Sequence, residues 1–270
     1  MGNFFYNIFK YSKIISNKKT AILSGGLVFF SLLELVPLAY LISLLVSVFG
    51  TQIDLHSNLL VAKQFESVTS YVFETATKLG ASGNIFALII TTYSATNFFF
   101  HLRRTGEIVY NYSNKNNLFT RVISFLAMFV LLVSFVFFQS IYIFISKLSI
   151  FFLGSVFGRI LNYTAILFSL LIFICVLNLY ACPYKVRIKD VFIGSLYTCV
   201  FSIVMTIGFL IYVNYFATYT EIYGKITIIV VFLLWLNIIM KGLIGGMNLN
   251  VYFLGKRRKR KIFNKMIKLE

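Results

Sequence analysis

The chain has 270 residues, of which 59% are hydrophobic and 12% are charged. Because soluble domains carry about 25% charged residues, this chain has too few polar side chains to cover a surface in water. A soluble globular protein is therefore excluded, and we expect the surplus apolar surface to face lipid. The net charge of +17 leaves two alternatives: a nucleic-acid partner, or basic residues that mark the loops on one side of a membrane.

Six apolar stretches have about the length that a membrane-spanning helix needs. They are residues 21–49, 85–100, 122–145, 164–181, 191–213 and 226–246. The second stretch is the shortest and can be extended to 84–102. Pro37 predicts a kink in the first, because a proline removes one backbone hydrogen bond of a helix. The sequence thus predicts an all-α polytopic membrane protein with six transmembrane helices.

Two of the connections have their own helical pattern. Within residues 50–83, apolar side chains recur at helical spacing, which predicts an amphipathic helix lying on the membrane or capping the bundle; they are Leu60, Val61, Phe65, Val68, Tyr71, Val72 and Thr75. Residues 148–163 are rich in Phe and Gly. They predict either a second interfacial segment or an extension of the third span. We therefore expect one or two interfacial amphipathic helices in the outer loops.

The basic residues are concentrated in alternate connections, as the positive-inside rule requires of six spans with both termini in the cytoplasm. The densest run is in the C-terminal tail, and it consists of Lys256, Arg257, Arg258, Lys259, Arg260 and Lys261. Near a membrane surface each such residue adds about 1 kcal/mol of attraction to anionic headgroups. The run lacks the interleaved aromatic residues of single-strand binders. We therefore expect membrane lipids, and no nucleic acid, as partners of a transmembrane domain (1–255) with a basic cytoplasmic tail (256–270).

Glu34 is the acidic residue within a predicted span, three positions before Pro37. Charged groups inside a membrane are costly and mark functional sites. A carboxylate beside backbone carbonyls that a proline has freed could coordinate a cation or pass a proton. The alternative is a neutral or hydrogen-bonded glutamate that packs against another helix.

Several other polar or small residues lie within the spans. These residues are Ser94, Asn97, Asn178 and Asn237. We expect them either to line a cavity or to form hydrogen bonds between helices. Lys241 is expected to extend toward the inner headgroups. The glycines at 25–26 and at 242, 245 and 246 predict close helix approach.

Motifs of known enzyme classes are absent from the sequence. It has no G-x-x-x-x-G-K-[ST], no H-E-x-x-H and no G-x-S-x-G. His56 and His101 are predicted on opposite sides of the membrane. The three cysteines do not form a C-x-x-C pair. We therefore expect no enzyme activity, no metal and no cofactor.

Nearly the whole chain, and most specifically residues 216–250, resembles the YihY/virulence factor BrkB family, whose members were once mislabelled as ribonucleases. The family pattern N-F-A-x-Y-x-x-I-Y-G, then L-L-W-L, then G-A-E-L-N is matched here by Phe216, Tyr219, Tyr223, Gly224, Trp235, Gly246 and Asn250, while Asn248 occupies the motif position of the glutamate. Residues 32–38 and 93–97 also resemble the first two spans of the family. This chain departs from the pattern at Asn248, where the family tends to have Glu, and at Glu34, where it tends to have Ser.

The resemblance implies a six-span protein of the bacterial inner membrane, with proposed roles in lipid or small-molecule transport. We accordingly expect a protein that transports or flips a lipid or an amphipathic small molecule through a cavity between helices. The alternative is a non-transporting envelope protein that organises membrane lipids or docks partners through its basic tail. A polar cavity with Glu34 on its wall would favour the first, and a sealed bundle would favour the second.

Overall fold

The computed structural model describes the backbone of residues 15, 18–49, 85–112, 117–215 and 225–267, and the side chains of 15, 19–41, 89–112, 117–134, 137, 163–213 and 230–255. These ranges contain five helical elements and no strand. The helices are α1 (Lys18–Phe49), α2 (Ile85–Val109), α3 (Asn117–Ala181), α4 (Ile188–Tyr215) and α5 (Lys225–Ile267). The predicted all-α class is confirmed for this part of the chain.

Helix α3 is assigned as 65 consecutive residues, yet its two ends lie side by side. The Tyr180 hydroxyl is 2.8 Å from Ser124 Oγ, although the two residues are 56 positions apart. In a straight helix that separation would be about 84 Å. The chain therefore reverses direction between them, and α3 consists of an N-terminal arm (117–134) and an antiparallel C-terminal arm (163–181). These arms correspond to the predicted third and fourth spans.

Neighbouring helices pack antiparallel. Phe30 of α1 stacks on His101 of α2, while Thr20 and Val109 line one cavity nearer the start of α1. Helices α4 and α5 are antiparallel as well. In that pair Asn250 accepts from the Gly194 N–H, and the Trp235 indole donates to Thr206 at the other end of the contact.

One end of the bundle gathers the start of α1, the end of α2, both ends of α3 and the start of α4. Arg104 at the end of α2 donates to Asn117 at the start of α3. Arg103 donates to the carbonyl oxygen of Cys182, which follows the end of α3, at 2.7 Å. We call this the basic end because the following described residues lie there: Lys19, Arg103, Arg104, Lys185, Arg187 and Lys189. Its placement on the cytoplasmic side stays a prediction.

Within the described residues, five segments are long and apolar enough to cross a membrane. They are Lys19–Leu41, Asn117–Ser134, Tyr163–Ala181, Ile188–Val213 and Val230–Gly255. Helix α2 is not among them; its described side chains begin at residue 89 and include Arg103, Arg104 and Glu107. Large apolar side chains project from the bundle, such as Ile22, which is 78% exposed, and Phe137, which is 62% exposed. Such a surface belongs in lipid, and the count of six spans stays a prediction.

The core lies between α1, α2, α5 and both arms of α3. Its largest fully buried apolar side chains are Leu27, Leu102, Met128, Ile244 and Met247. Helix α1 continues through Pro37 to Phe49, so the kink remains a prediction. Helix α5 continues through the basic run to Ile267. The tail therefore extends the last helix, and the side chains of that run lie outside the described residues.

The predicted role of Gly25 and Gly26 is wrong. A Cβ atom built on either glycine would have no described atom within 4 Å, and both residues are exposed. They face outward because α1 presents its buried stripe through Ser24, Leu27 and Val28. The amphipathic pattern between Leu60 and Thr75 lies outside the described residues. Residues 148–163 have helical backbone within α3.

Candidate functional site

Glu34 is completely buried, and neither of its carboxylate oxygens has a hydrogen-bond partner among the described residues. It lies on the face of α1 that packs against α2, where its carboxylate faces Ser94, Asn97 and Arg121. Ser94 and Asn97 are close to the carboxylate without reaching ordinary hydrogen-bond geometry. Leaving a buried acceptor unsatisfied costs about 1–3 kcal/mol, and more for a charged group. This position is therefore unfavourable for the stability of the fold.

Arg121 forms a hydrogen bond with Asn97, which lies close to the Glu34 carboxylate. Its Nη1 donates to Asn97 Oδ1 at 2.5 Å, and its Nη2 donates to the Tyr93 hydroxyl at 2.9 Å. The guanidinium carbon also lies 4.7 Å from the Tyr93 ring centroid and 4.6 Å from that of Phe100. Asn97 therefore stands between a buried carboxylate and a half-buried guanidinium. We call Glu34, Ser94, Asn97 and Arg121 the polar cluster.

The structure brings three of the predicted polar residues together and separates two others. Glu34, Ser94 and Asn97 meet in the polar cluster. Asn237 instead accepts a hydrogen bond of 3.0 Å from the Ser24 hydroxyl and so links α5 to α1. Asn178 is fully buried in the C-terminal arm of α3, and its amide donates to the carbonyl of Ile174. Asn237 thus has the predicted alternative role of an interhelical hydrogen bond.

Sequence reasoning missed Arg121, which it counted as a charge of the loop between the second and third spans. Helix α3 begins at Asn117, so Arg121 lies just beyond its first turn, on the face toward α2. The available signal was its position directly before the apolar run that begins at Val122. When a helix begins about one turn before its apolar run, a residue at this position lies inside the bundle.

Arg103 joins α2 to the C-terminal end of α3, and Arg104 joins α2 to Asn117 at the start of α3. Arg103 donates to the carbonyl oxygens of Tyr180 and Cys182. It therefore satisfies carbonyls that the end of a helix leaves without intrahelical partners. Glu107 is buried and forms an ion pair of 2.5 Å with Arg104. A Cβ atom on Gly106 would lie 1.9 Å from the carbonyl oxygen of Ala181, so the two backbones touch here.

Tyr110, in the turn after α2, is buried next to the last helix. Its hydroxyl faces the Cys182 thiol and the Asn250 carboxamide, but it completes no hydrogen bond of ordinary geometry. Burial raises the pKa of Tyr110, so the phenol stays neutral. Tyr110 therefore brings together the connection after α2, the connection after α3 and helix α5.

The described residues of the family-like motif serve mainly to pack α5. Asn250 Oδ1 accepts the Gly194 N–H at 2.9 Å, and a Cβ atom on Gly246 would lie 2.5 Å from the Gly194 carbonyl oxygen. The Trp235 indole donates to the Thr206 hydroxyl at 3.2 Å. Phe216, Tyr219, Tyr223 and Gly224 lie outside the described residues.

Asn248 belongs to a separate polar contact at the basic end. Its amide nitrogen is 3.4 Å from the Ile15 carbonyl oxygen and 3.4 Å from Thr20 Oγ1. It also lines a cavity of about 90 Å³ together with Lys19 and Thr20. Glu34 is not on the wall of this cavity.

Chemistry that needs a cluster of ligands finds no support in the described residues. No group of three or more His, Cys, Asp or Glu residues there could hold a metal ion. His101 is stacked on Phe30, and Cys182 and Cys199 are buried cysteines that form no disulfide. In the polar cluster an acid, an amide and a guanidinium lie next to one another in space. Such neighbouring groups can exchange hydrogen-bond partners and shift charge between them.

No curated protein and no solved structure matches the chain. The family model described as virulence factor BrkB matches residues 13–266, which is nearly the whole chain. The apolar helices make the chain an integral membrane protein, and it belongs to the virulence factor BrkB family.

Proposed function

We propose that this protein transports or flips a lipid or an amphipathic small molecule across the bacterial cytoplasmic membrane, without catalysing a chemical reaction. The observation that carries the proposal is Glu34, a fully buried carboxylate whose two oxygens have no hydrogen-bond partner among the described residues. An ionisable group inside the membrane is costly and marks a pathway for a substrate or an ion. Stability alone gives no reason to keep it.

The neighbours of Glu34 support a role in a moving pathway. Arg121 binds Asn97 and Tyr93 on the far side of the carboxylate. Pro37 lies about one helical turn beyond Glu34 in α1, where it leaves one carbonyl without a backbone donor. A shift of α1 against α2 would let the carboxylate exchange partners between Asn97, Arg121 and a polar substrate group.

The topology we propose has six crossings, with both termini and the basic end in the cytoplasm. Helix α2 packs antiparallel to α1 along their contact from Lys19 and Val109 to Glu34 and Asn97. A helix with that register returns the chain to the end where α1 began. The basic residues of this end fit the cytoplasmic face by the positive-inside rule.

The alternative function is a non-transporting envelope protein that organises membrane lipids or docks partners through its basic tail. One observation favours it. Glu34 has no exposed surface, and the cavity at the basic end does not include it. A bundle that stays sealed around Glu34 would hold no path for a substrate.

Lipid translocation in proteoliposomes distinguishes the two functions. Vesicles with fluorescent phosphatidylethanolamine, phosphatidylglycerol or phosphatidylcholine are treated with dithionite, which bleaches only the outer leaflet. Transport predicts faster loss of protected signal with the wild type than with empty vesicles, and a loss of that gain in Glu34→Gln. Lys241→Gln, a change at an exposed position of α5, should behave as the wild type.

Equal rates for protein-containing and empty vesicles with all three lipids would reject lipid flipping. A rate that Glu34→Gln leaves unchanged would remove the polar cluster from the path. In the first case the same vesicles, loaded with small amphipathic solutes, test the remaining part of the transport proposal. Failure there would leave the envelope role.

A further inference from the structure

A small cavity opens at the basic end between the start of α1, the end of α2 and the later part of α5. Its volume is about 90 Å³. A cavity of this size holds a few water molecules or one group of similar size. It is separate from the polar cluster, because neither Glu34 nor Arg121 lines it.

The polar part of the wall consists of hydrogen-bond donors and one positive charge. Lys19, Thr20, Asn111 and Asn248 contribute it. Lys19 is exposed at the start of α1, and no acidic residue lines the cavity. The two described carboxylates of the basic end are engaged elsewhere, since Glu107 pairs with Arg104 and Asp190 accepts the Arg187 N–H.

The amide of Asn248 forms only long hydrogen bonds within the protein. Both of its contacts, with Ile15 and Thr20, measure 3.4 Å, whereas N–H···O bonds are usually about 2.9–3.0 Å. A ligand oxygen could therefore take this donor at little cost. The family-like motif has glutamate at this position, and the neutral amide here leaves the charge of Lys19 without a neighbouring carboxylate in the wall.

The rest of the wall is apolar. It is formed by Leu23, Ile108, Val109 and Ile244, and Ile108 is 48% exposed beside the opening. An anionic group joined to an apolar body can satisfy both halves of such a wall. A phosphate group can accept hydrogen bonds from an ammonium and an amide at the same time, and it is a common ligand of lysine.

We infer that this cavity binds the phosphate group of an anionic ligand, held by Lys19 and Asn248 and flanked by Leu23 and Ile108. The phosphate has two sources, an anionic lipid headgroup at the membrane surface or a soluble phosphate. The apolar half of the wall favours the lipid. The site is independent of the proposed transport, because a protein that moves no lipid can still hold one here.

Binding is measured on the full-length chain in phosphatidylcholine nanodiscs. The probes are inorganic phosphate and short-chain phosphatidic acid and phosphatidylglycerol, each followed by isothermal titration calorimetry. We test Lys19→Gln, which removes the charge, and Asn248→Asp, which places a carboxylate of equal size in the wall. Lys241→Gln is the matched control, because it removes an exposed lysine of α5 outside the cavity.

The inference predicts saturable binding that Asn248→Asp weakens by about tenfold or more and Lys19→Gln by several-fold, through lost charge-assisted contacts, with no change in Lys241→Gln. Binding of the lipids but not of inorganic phosphate assigns the headgroup, and comparable binding of inorganic phosphate assigns the soluble source. If Asn248→Asp is not monodisperse, Asn248→Ser takes its place and should also weaken binding. Absent binding of every probe overturns the inference, as does binding that Lys19→Gln and the Asn248 variant leave unchanged.

Discussion

Gly194 of α4 and Gly246 of α5 lie in backbone contact. A Cβ atom on Gly194 would be 2.1 Å from the Gly246 carbonyl oxygen and 2.4 Å from Asn250 Oδ1. Both obstacles belong to the same helix, and one of them is backbone. The contact therefore leaves no room for a side chain, and it fixes the distance between the two helices.

The first prediction is that Gly194→Ala destabilises the protein while Gly208→Ala on the same helix does not. Overpacking of this kind costs about 1–3 kcal/mol, whereas a Cβ atom on Gly208 would meet nothing within 4 Å. The free energy of unfolding is measured by SDS titration in mixed micelles, with the single tryptophan, Trp235, as reporter. Equal stabilities of the two variants would show that α4 and α5 are not in this contact.

The second prediction concerns the reversal inside α3. The Tyr180 hydroxyl is 2.8 Å from Ser124 Oγ and 2.8 Å from the Phe99 carbonyl oxygen, so Tyr180→Phe removes the hydroxyl that bonds this buried pair and leaves one acceptor without its donor. We expect a loss of about 1–3 kcal/mol in the same unfolding assay. Tyr163→Phe is the control, because Tyr163 is 60% exposed. A Tyr180→Phe protein as stable as its control would argue against the pairing of the two arms.

The third prediction is an energetic coupling between Glu34 and Arg121. Arg121→Gln removes the guanidinium that faces the buried carboxylate, so it should cost more stability when Glu34 is present than in a Glu34→Gln background. Contacting residues in one network couple by about 0.5–3 kcal/mol. The double-mutant cycle is measured by SDS unfolding of the four proteins.

A second cycle, with Arg187→Gln in place of Arg121→Gln, serves as the reference for that coupling. Arg187 is exposed at the basic end, and we expect its effect to add to that of Glu34→Gln. Additive effects in the Arg121 cycle as well would mean that the carboxylate and the guanidinium do not interact.

The fourth prediction tests the six crossings. In inverted membrane vesicles of a cysteine-free variant, Lys19→Cys, Asn111→Cys and Lys185→Cys should react with a membrane-impermeant maleimide. Ser57→Cys, in the predicted outer connection, should react only in intact spheroplasts. Labelling of Asn111→Cys and Lys19→Cys from opposite sides would mean that α2 does not return the chain across the membrane.

The sequence predicted the helices well because each one is recorded in a long local run of apolar residues. The end of the fourth span at Ala181, before Cys182 and Pro183, matches the end of α3. The ends of α4 and α5 were less well predicted. A helix continues past its apolar run wherever the flanking residues are good helix formers, as in the basic extension of α5 to Ile267.

The polar cluster was only partly predictable. Glu34, Ser94 and Asn97 stood out because each is polar within an apolar run, and that signal is local. Arg121 gave no such signal, since a basic residue before a span looks like a topology marker. Gly25 and Gly26 gave a misleading one, because a pair of glycines shows that a helix can be approached closely and not which face its neighbour takes.

By itself, the sequence determined that this protein lies in a membrane, that it is built of helices, and that its charges alternate between connections, because lipid and backbone hydrogen bonding act on each segment separately. Only the tertiary structure decided which polar residues meet. Asn97 joins Glu34 to Arg121, whereas Asn237 bonds Ser24. Those contacts depend on the rotation of each helix about its axis and on its offset along its neighbour. The helices are apolar nearly all round, so their sequence pattern predicts neither quantity.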